Sequence, residues 1–208
     1  QVALIRGSIR AATAHLGRAS NSDAGTGAGG PTPASEERAR RCVDPTAAAA
    51  MPIRGSVGWM GLSVLPDGVH TNVAPIGAGL YDGRMGLAVS LLLWAQTDRN
   101  AADQAMRLCR QALAPVLEAI ADADGVQHLV VLTGSGFSGL GGMLRGLAFL
   151  SSYGVEVEAV TAAQRSILNF LTPALVIDNT RFDVMSGAAG LVAPLARLLA
   201  DGLDCGVP

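Results

Sequence analysis

A glycine-spaced motif occurs three times in the chain, and this repetition constrains the fold more than any other feature of the sequence. Each copy has a polar residue, then Gly-x-x-Gly, then an apolar run of helical length. The copies lie roughly fifty residues apart, a spacing typical of repeated helical units. Glycine makes up only 26 of the 208 residues, so composition alone does not explain three pairs in matching register. The pairs are Gly83 and Gly86, Gly139 and Gly142, and Gly187 and Gly190.

The polar residue before each pair predicts a helix start. Asp82, Ser138 and Ser186 have side-chain oxygens that accept hydrogen bonds from the free N–H groups of a first helical turn. Glycine inside a helix costs about 1 kcal/mol relative to alanine, so the glycines need a physical reason. A first turn without side chains lets a neighbouring helix or a peptide ligand approach the backbone. The sequence is compatible with both explanations of the glycines, close packing and a ligand-facing role.

Amphipathic segments alternate with these apolar runs. Residues 100–121 and 157–177 have apolar side chains at helical spacing. In the first segment the apolar face consists of Ala105, Leu108, Cys109, Ala112, Leu113, Val116, Leu117 and Ile120. The alternation predicts an all-α fold of helical hairpins, with the Gly-x-x-Gly helices inside and the amphipathic helices outside.

The N-terminal part of the chain has a different composition. Residues 1–16 are compatible with a helix, and residues 17–53 are predicted to be a flexible linker because their first half is rich in Gly, Ser, Ala and Pro. The compact domain is predicted to cover residues 54–208. Residues 57–65 suit a short strand that ends at a turn over residues 66–68.

Charge and cysteine content exclude several classes of function. A net charge of −2 without a basic run argues against a nucleic-acid partner. The longest apolar run, residues 85–95, is shorter than the roughly 20 residues of a transmembrane helix, and without a signal-peptide pattern we expect a cytoplasmic location. Cys42, Cys109 and Cys205 form no CxxC pair, so they predict neither a disulfide framework nor a zinc site. Cys109 is expected in the core.

Four segments, in order, resemble the cyclase (LanC-like) domain of class II lanthionine synthetases, the enzymes of lanthipeptide biosynthesis. They are "WMGLSVL", "PIGAGLYDGRMGLAV", "FSGLGGMLRGLAFL" and "RFDVMSGAAGLVAPL". The stretch "QVALIRGSI" resembles the end of the dehydratase portion of those enzymes. The resemblance implies an α/α toroid of seven helical hairpins, of which this chain supplies about three. It also implies an active site at the mouth of the central cavity, lined by the paired glycines.

The chemistry implied by the resemblance is the addition of a cysteine thiol of a precursor peptide to dehydroalanine or dehydrobutyrine. Zinc is the family's cofactor, held by two cysteines and a histidine in later motifs that do not occur in this chain. Only Asp183, in "FDV", matches an active-site residue, with a role in orienting or tuning a proton-transfer group. The alternative for Asp183 is a salt bridge with Arg181 or a local hydrogen bond. The three histidines match no motif and are expected on the surface or in loops: His15, His70 and His128.

Three functions follow from these observations. The first is the front part of a cyclase domain, inactive without the remainder of the synthetase, whose incomplete ring would expose apolar surface around residues 191–199 and self-associate. The second is a non-catalytic helical module that binds peptide. The third, a glycosidase-like or terpene-cyclase-like barrel, needs paired carboxylates or an aspartate-rich metal motif, and the sequence has neither in clear form.

Overall fold

The computed structural model describes residues 33–53, 56–64, 69–172 and 180–202, and this part of the chain is mostly helical, in agreement with the all-α prediction. It contains seven α-helices: α1 (Pro33–Ala48), α2 (Arg84–Thr97), α3 (Ala102–Ile120), α4 (Ala123–Thr133), α5 (Leu140–Ser152), α6 (Val157–Phe170) and α7 (Val192–Ala200). A 3₁₀ turn, Ala188–Leu191, leads directly into α7. The helix predicted for residues 1–16 lies outside the described residues.

The helices pack in two layers around one core. In the first layer α5 contacts both α2 and α7. In the second layer α3 packs on α2 and α6 packs on α5, while α4 contacts α3, α5 and α6. The Gly-x-x-Gly helices therefore contact one another in one layer, and the predicted amphipathic helices α3 and α6 pack on them in the other, together with α4.

The predicted apolar face of residues 100–121 is the face that α3 buries. Seven of its eight residues are buried in the core, and the eighth, Leu117, is half-buried. The helix starts at Ala102, after Ala101 at the N-cap position, and the backbone N–H of Asn100 is bound by Asp98 Oδ1 at 2.9 Å. The second amphipathic helix ends at Phe170, and residues 173–177 of the predicted segment lie outside the described part of the chain.

Two small antiparallel hairpins precede the helical layers. Strand β1 (Met51–Ile53) pairs with β2 (Ser56–Gly58), and β3 (Met60–Val64) pairs with β4 (Thr71–Pro75), with Leu62 opposite Val73. The strand predicted over residues 57–65 is thus divided between two hairpins, with Trp59 at the division. The turn predicted at residues 66–68 lies outside the described residues.

Helix α1 occupies a stretch for which a flexible linker was expected. Its Val43 is fully buried, and Thr46 accepts a hydrogen bond from Trp59 Nε1 at 2.9 Å through its carbonyl oxygen. Arg40 forms an ion pair with Asp98 (Nε to Oδ2, 3.4 Å), whose side chain is fully buried. Residues 33–48 of the predicted linker form this helix, and these tertiary contacts hold a segment whose own composition is polar.

Within the described residues, every helix is too short or too polar to cross a bilayer. This agrees with the prediction that residues 85–95 belong to a buried helix, since Met85, Ala88, Leu91, Leu92 and Ala95 all lie in the core.

We predict that Arg40→Ala lowers the free energy of unfolding by about 1–3 kcal/mol, because it leaves the buried carboxylate of Asp98 without its counter-ion. The loss is smaller than for a fully buried pair because the Arg40 side chain is 46% exposed. Urea unfolding followed by circular dichroism measures this change. Arg41→Ala is the matched control: its ion pair with Glu37 is exposed, and we expect a loss within about 0.5 kcal/mol. Equal losses for the two variants would contradict the role of Asp98.

Candidate functional site: three helix mouths

The three Gly-x-x-Gly segments start the helices of the first layer, and we call them the helix mouths. Mouth 1 is residues 77–86, mouth 2 is residues 134–142 and mouth 3 is residues 181–190. The N-cap position of each start is occupied by the first glycine of its pair, namely Gly83, Gly139 and Gly187, and no side chain caps these three starts. The prediction that Asp82, Ser138 and Ser186 act as side-chain caps is therefore wrong.

Backbone carbonyl groups replace the predicted side-chain caps. In mouth 1 the N–H groups of Arg84, Met85 and Gly86 donate to the carbonyl oxygens of Gly77, Ala78 and Gly79, at 2.8, 3.4 and 3.3 Å. In mouth 2 Leu140 and Gly141 donate to Gly134 and Ser135, at 3.3 and 3.1 Å, and in mouth 3 Ala188 donates to Arg181 at 3.0 Å. Each preceding loop folds back over the first turn and satisfies donors that a helix start leaves free.

The folded-back loops explain the second glycine of each pair. A Cβ atom at Gly86 would overlap the carbonyl oxygen of the mouth 1 residue Leu80. The same overlap would occur between Gly142 and the carbonyl of Phe137, and between Gly190 and that of Val184. The first glycines are equally confined: carbonyl oxygens of their own loops meet the Cβ positions of Gly83, Gly139 and Gly187. Close packing of the backbone thus accounts for all six glycines.

The mouths lie next to one another. Mouths 2 and 3 are joined by backbone hydrogen bonds from Phe137 to Val184 (2.9 Å) and from Ser138 to Met185 (2.8 Å). The Ser138 hydroxyl also donates to the Met185 carbonyl at 2.6 Å, so this side chain links two mouths instead of capping its own helix. On the other side, a Cβ at Gly79 would lie 3.1 Å from the Ser138 carbonyl oxygen, which places mouth 1 against mouth 2.

Asp183 lies on the exposed side of mouth 3. Its Oδ1 accepts a hydrogen bond from the Ser186 N–H at 2.7 Å, and its carbonyl oxygen accepts one from the Gly187 N–H at 3.1 Å. The carboxylate therefore shapes the loop, which matches the local hydrogen bond considered as the alternative for this residue. Its exposure also leaves it accessible to a ligand at the mouths.

Exposed apolar side chains accompany Asp183, and neither the helical spacing nor the glycine motif indicated them. In mouth 3 Phe182 is 76% exposed, Val184 60% and Met185 44%, and in mouth 1 Tyr81 is 76% exposed. Three large exposed apolar side chains within one loop, as in mouth 3, are unusual in soluble proteins and are typical of interaction sites. Apolar residues at the loop tips, outside the helical pattern, were the available signal in the sequence.

The remaining polar candidates serve the fold or lie apart from the mouths. Arg84 in mouth 1 donates to the Val57 carbonyl at 2.8 Å, and burial lowers the pKa of its guanidinium. Burial raises the pKa of the Cys109 thiol to about 11, in agreement with its predicted core position. His70 and His128 are exposed, as predicted, whereas His15 and Cys205 lie outside the described residues. Among the described residues, no group of three or more His, Cys, Asp or Glu side chains is placed to hold a metal ion.

Comparison with known proteins gives one match. A family model described as "Lanthionine synthetase C-like protein" matches residues 74–201, a segment that contains all three mouths and both helical layers. The matched segment covers more than half of the chain. No curated protein and no solved structure matches it.

We predict that Gly142→Ala lowers the free energy of unfolding by about 1–3 kcal/mol, because the added methyl group must displace the Phe137 carbonyl. Thermal or urea unfolding measures this effect. Gly77→Ala is the matched control: it lies in mouth 1, where a Cβ would meet no atom within 4 Å, and we expect a change within about 0.5 kcal/mol. A stable Gly142→Ala protein would contradict the close-packing explanation.

We also predict different effects for two substitutions of Asp183. Asp183→Ala removes the acceptor for the Ser186 N–H and costs about 1 kcal/mol of stability. Asp183→Asn keeps an oxygen acceptor and should leave stability within about 0.5 kcal/mol of the original protein, as measured by urea unfolding. If both variants lose the same stability, the negative charge, and not the hydrogen bond, is what mouth 3 needs.

Proposed function

The chain belongs to the lanthionine synthetase C-like family, and from this premise we propose that it is the N-terminal part of a class II lanthionine synthetase cyclase domain. Its substrate would be a precursor peptide that carries dehydroalanine or dehydrobutyrine and free cysteines. The division into a dehydratase-like end (1–16), a connecting segment and a cyclase part (54–208) remains part of this proposal, as does a cytoplasmic location.

The observation that carries the proposal is the row of three mouths at one end of the first helical layer. A toroid of alternating inner and outer helices requires neighbouring inner helices to start side by side, with the outer helices behind them. Mouths 2 and 3 are hydrogen-bonded together, and mouth 1 contacts mouth 2. About three of seven hairpins of such a ring would correspond to the helices described here.

The proposed reaction forms a carbon–sulfur bond between a peptide cysteine and the β-carbon of a dehydrated residue. The thiol loses its proton, and the resulting enolate gains one at the α-carbon, so the reaction needs a general base and a general acid. In this chain Asp183 would orient the group that moves this second proton, through its exposed carboxylate. The exposed apolar side chains of mouths 1 and 3 would hold the peptide across the row.

Zinc activates the thiol in the family by stabilising the thiolate. The described residues offer no set of three metal-binding side chains, and the Cys and His motifs that hold zinc in the family are not in this sequence. These residues do not fit the metal, so no step of the proposal passes through it. The chain by itself is therefore proposed to bind peptide without accelerating ring closure.

A second candidate, the non-catalytic peptide-binding module, is favoured by the same exposed side chains at the mouths. Both candidates predict binding of peptide, and they differ in whether binding depends on the dehydrated residue. A cyclase part should prefer a dehydrated peptide, because its mouths face the reacting residues. A general binding module should accept the peptide with serine in place of dehydroalanine equally well.

We predict that the chain binds a fluorescein-labelled peptide with one dehydroalanine and one cysteine, and that Phe182→Ser weakens this binding about tenfold. Phe182 offers apolar surface that a bound peptide would cover, and burial of a Phe side chain contributes about 1.5–3 kcal/mol. Fluorescence anisotropy measures the dissociation constants. Cysteine alkylation followed by mass spectrometry measures ring closure, for which we expect no increase over the uncatalysed rate.

Val157→Ser is the control for this experiment, since Val157 is a half-exposed apolar residue at the start of α6, beyond the C-terminal end of α5 and away from the mouths. It should bind the peptide as the original chain does. No binding of the peptide, or equal weakening by both variants, would refute peptide recognition at the mouths. Faster ring closure in the presence of the chain would refute its proposed inactivity, and equal affinity for the serine peptide would favour the binding module.

A further inference from the structure

One stripe of α5 is only partly covered by the rest of the described chain, with two exposed and two half-buried side chains. Its residues Arg145, Ala148, Phe149 and Ser152 are spaced at i, i+3, i+4 and i+7, so they form a single stripe on the helix surface. The opposite side of α5 carries the core residues Leu140, Met143, Leu144, Leu147 and Leu150. Helices α2, α4, α6 and α7 all contact α5, and the stripe is the part of its surface that these contacts leave partly open.

This stripe forms one wall of a pocket between α5 and α7. The pocket has a volume of about 210 Å³ and is lined by the four stripe residues and Arg197 of α7. Phe149 is held in place by its contact with Tyr153, whose ring centroid lies 5.0 Å away. The lining therefore consists of two guanidinium groups, an aromatic ring, a methyl group and a hydroxyl.

The two arginines differ in whether they form an ion pair within the protein. Arg197 forms an ion pair with Asp201 (Nε to Oδ2, 2.8 Å), and both side chains are about half exposed. Exposed pairs of this i,i+4 type are worth only about 0.3–0.5 kcal/mol, so an incoming anion competes readily for Arg197. Arg145 forms no ion pair or hydrogen bond within the described residues, and no carboxylate lines the pocket. The pocket lining thus carries two guanidinium groups, of which Arg145 has no counter-ion among the described residues.

We infer that this pocket binds an acidic side chain, Glu or Asp, of the peptide that occupies the mouths. This inference rests on the proposed function, because it places the acidic residue on the same bound peptide. A guanidinium group binds a carboxylate through two parallel hydrogen bonds, and the Phe149 ring and Ala148 would contact the methylene groups of the acidic side chain. A free inorganic anion would gain nothing from that apolar wall.

The position of Arg145 fixes where the acidic residue lies in the peptide. Arg145 is five residues after the start of α5, which corresponds to about 7–8 Å along the helix axis from mouth 2. An extended peptide advances about 3.3 Å per residue. For a peptide chain that leaves the row of mouths along α5, this distance corresponds to an acidic residue two or three positions from the peptide residue held at mouth 2.

The test uses the full chain and two fluorescein-labelled peptides that carry one dehydroalanine, with either Glu or Gln three positions away on each side. Fluorescence anisotropy should show binding of the Glu peptide that is about three- to tenfold tighter than that of the Gln peptide at low salt. Arg145→Gln should abolish this difference, mainly by weakening the binding of the Glu peptide. The difference should also shrink as salt is raised, because the pocket is open to solvent.

Arg165→Gln is the matched control, since Arg165 is an exposed arginine on α6, in the other layer. It should keep the preference for Glu. Circular dichroism and urea unfolding establish that all variants are folded, and Arg145→Lys, which keeps the charge, should retain part of the preference. Inorganic phosphate and acetate serve as competitors, and neither should displace the Glu peptide at concentrations where the unlabelled Glu peptide does.

The outcomes separate this inference from the proposed function. Equal binding of the Glu and Gln peptides, or a preference that survives Arg145→Gln, overturns the acidic subsite while peptide binding at the mouths stands. Displacement by phosphate at the same concentration as the peptide also overturns it, because the pocket would then be a general anion site. If neither peptide binds, both the subsite and peptide recognition fail.

Discussion

The structure depends on the close approach of loop carbonyl groups to the first turns of three helices. These carbonyls accept the N–H groups that would otherwise be unsatisfied, and they occupy the space that a Cβ atom would need. The same loops contact each other through backbone hydrogen bonds, so mouths 2 and 3 form one unit. Helix starts, neighbouring helices and the exposed surface at the mouths all follow from this one constraint on the backbone.

Repetition made part of the site predictable from the sequence. The paired glycines located all three helix starts to within one or two residues. Their matching register indicated that the three starts are structurally equivalent. The amphipathic face of α3 followed from helical spacing, since it is decided by residues within one segment. What the sequence could not supply was the source of the capping groups: side-chain caps have a known preference for Asp and Ser, whereas a backbone carbonyl can come from any residue.

Other features escaped prediction because distant residues decide them. Helix α1 is held by the ion pair of Arg40 with Asp98 and by the hydrogen bond from Trp59 to the Thr46 carbonyl. Neither contact can be inferred from the composition of residues 33–48. Helix α4 is short, and its capping residue Asp122, which accepts from Gly125 N–H at 2.7 Å, was its main local signal. The exposure of Phe182 and Tyr81 depends on the direction in which each loop leaves its helix, which helical periodicity does not report.

At the mouths, main-chain groups form the scaffold and side chains form the outer surface. The architecture there is built almost wholly from main-chain atoms, and the four prominent side chains at positions 81, 182, 184 and 185 project outward. Because these side chains are exposed, we expect their substitution to change the free energy of unfolding little. Under the proposed function, the side chains that would contact the peptide are therefore different from the main-chain groups that hold the scaffold together.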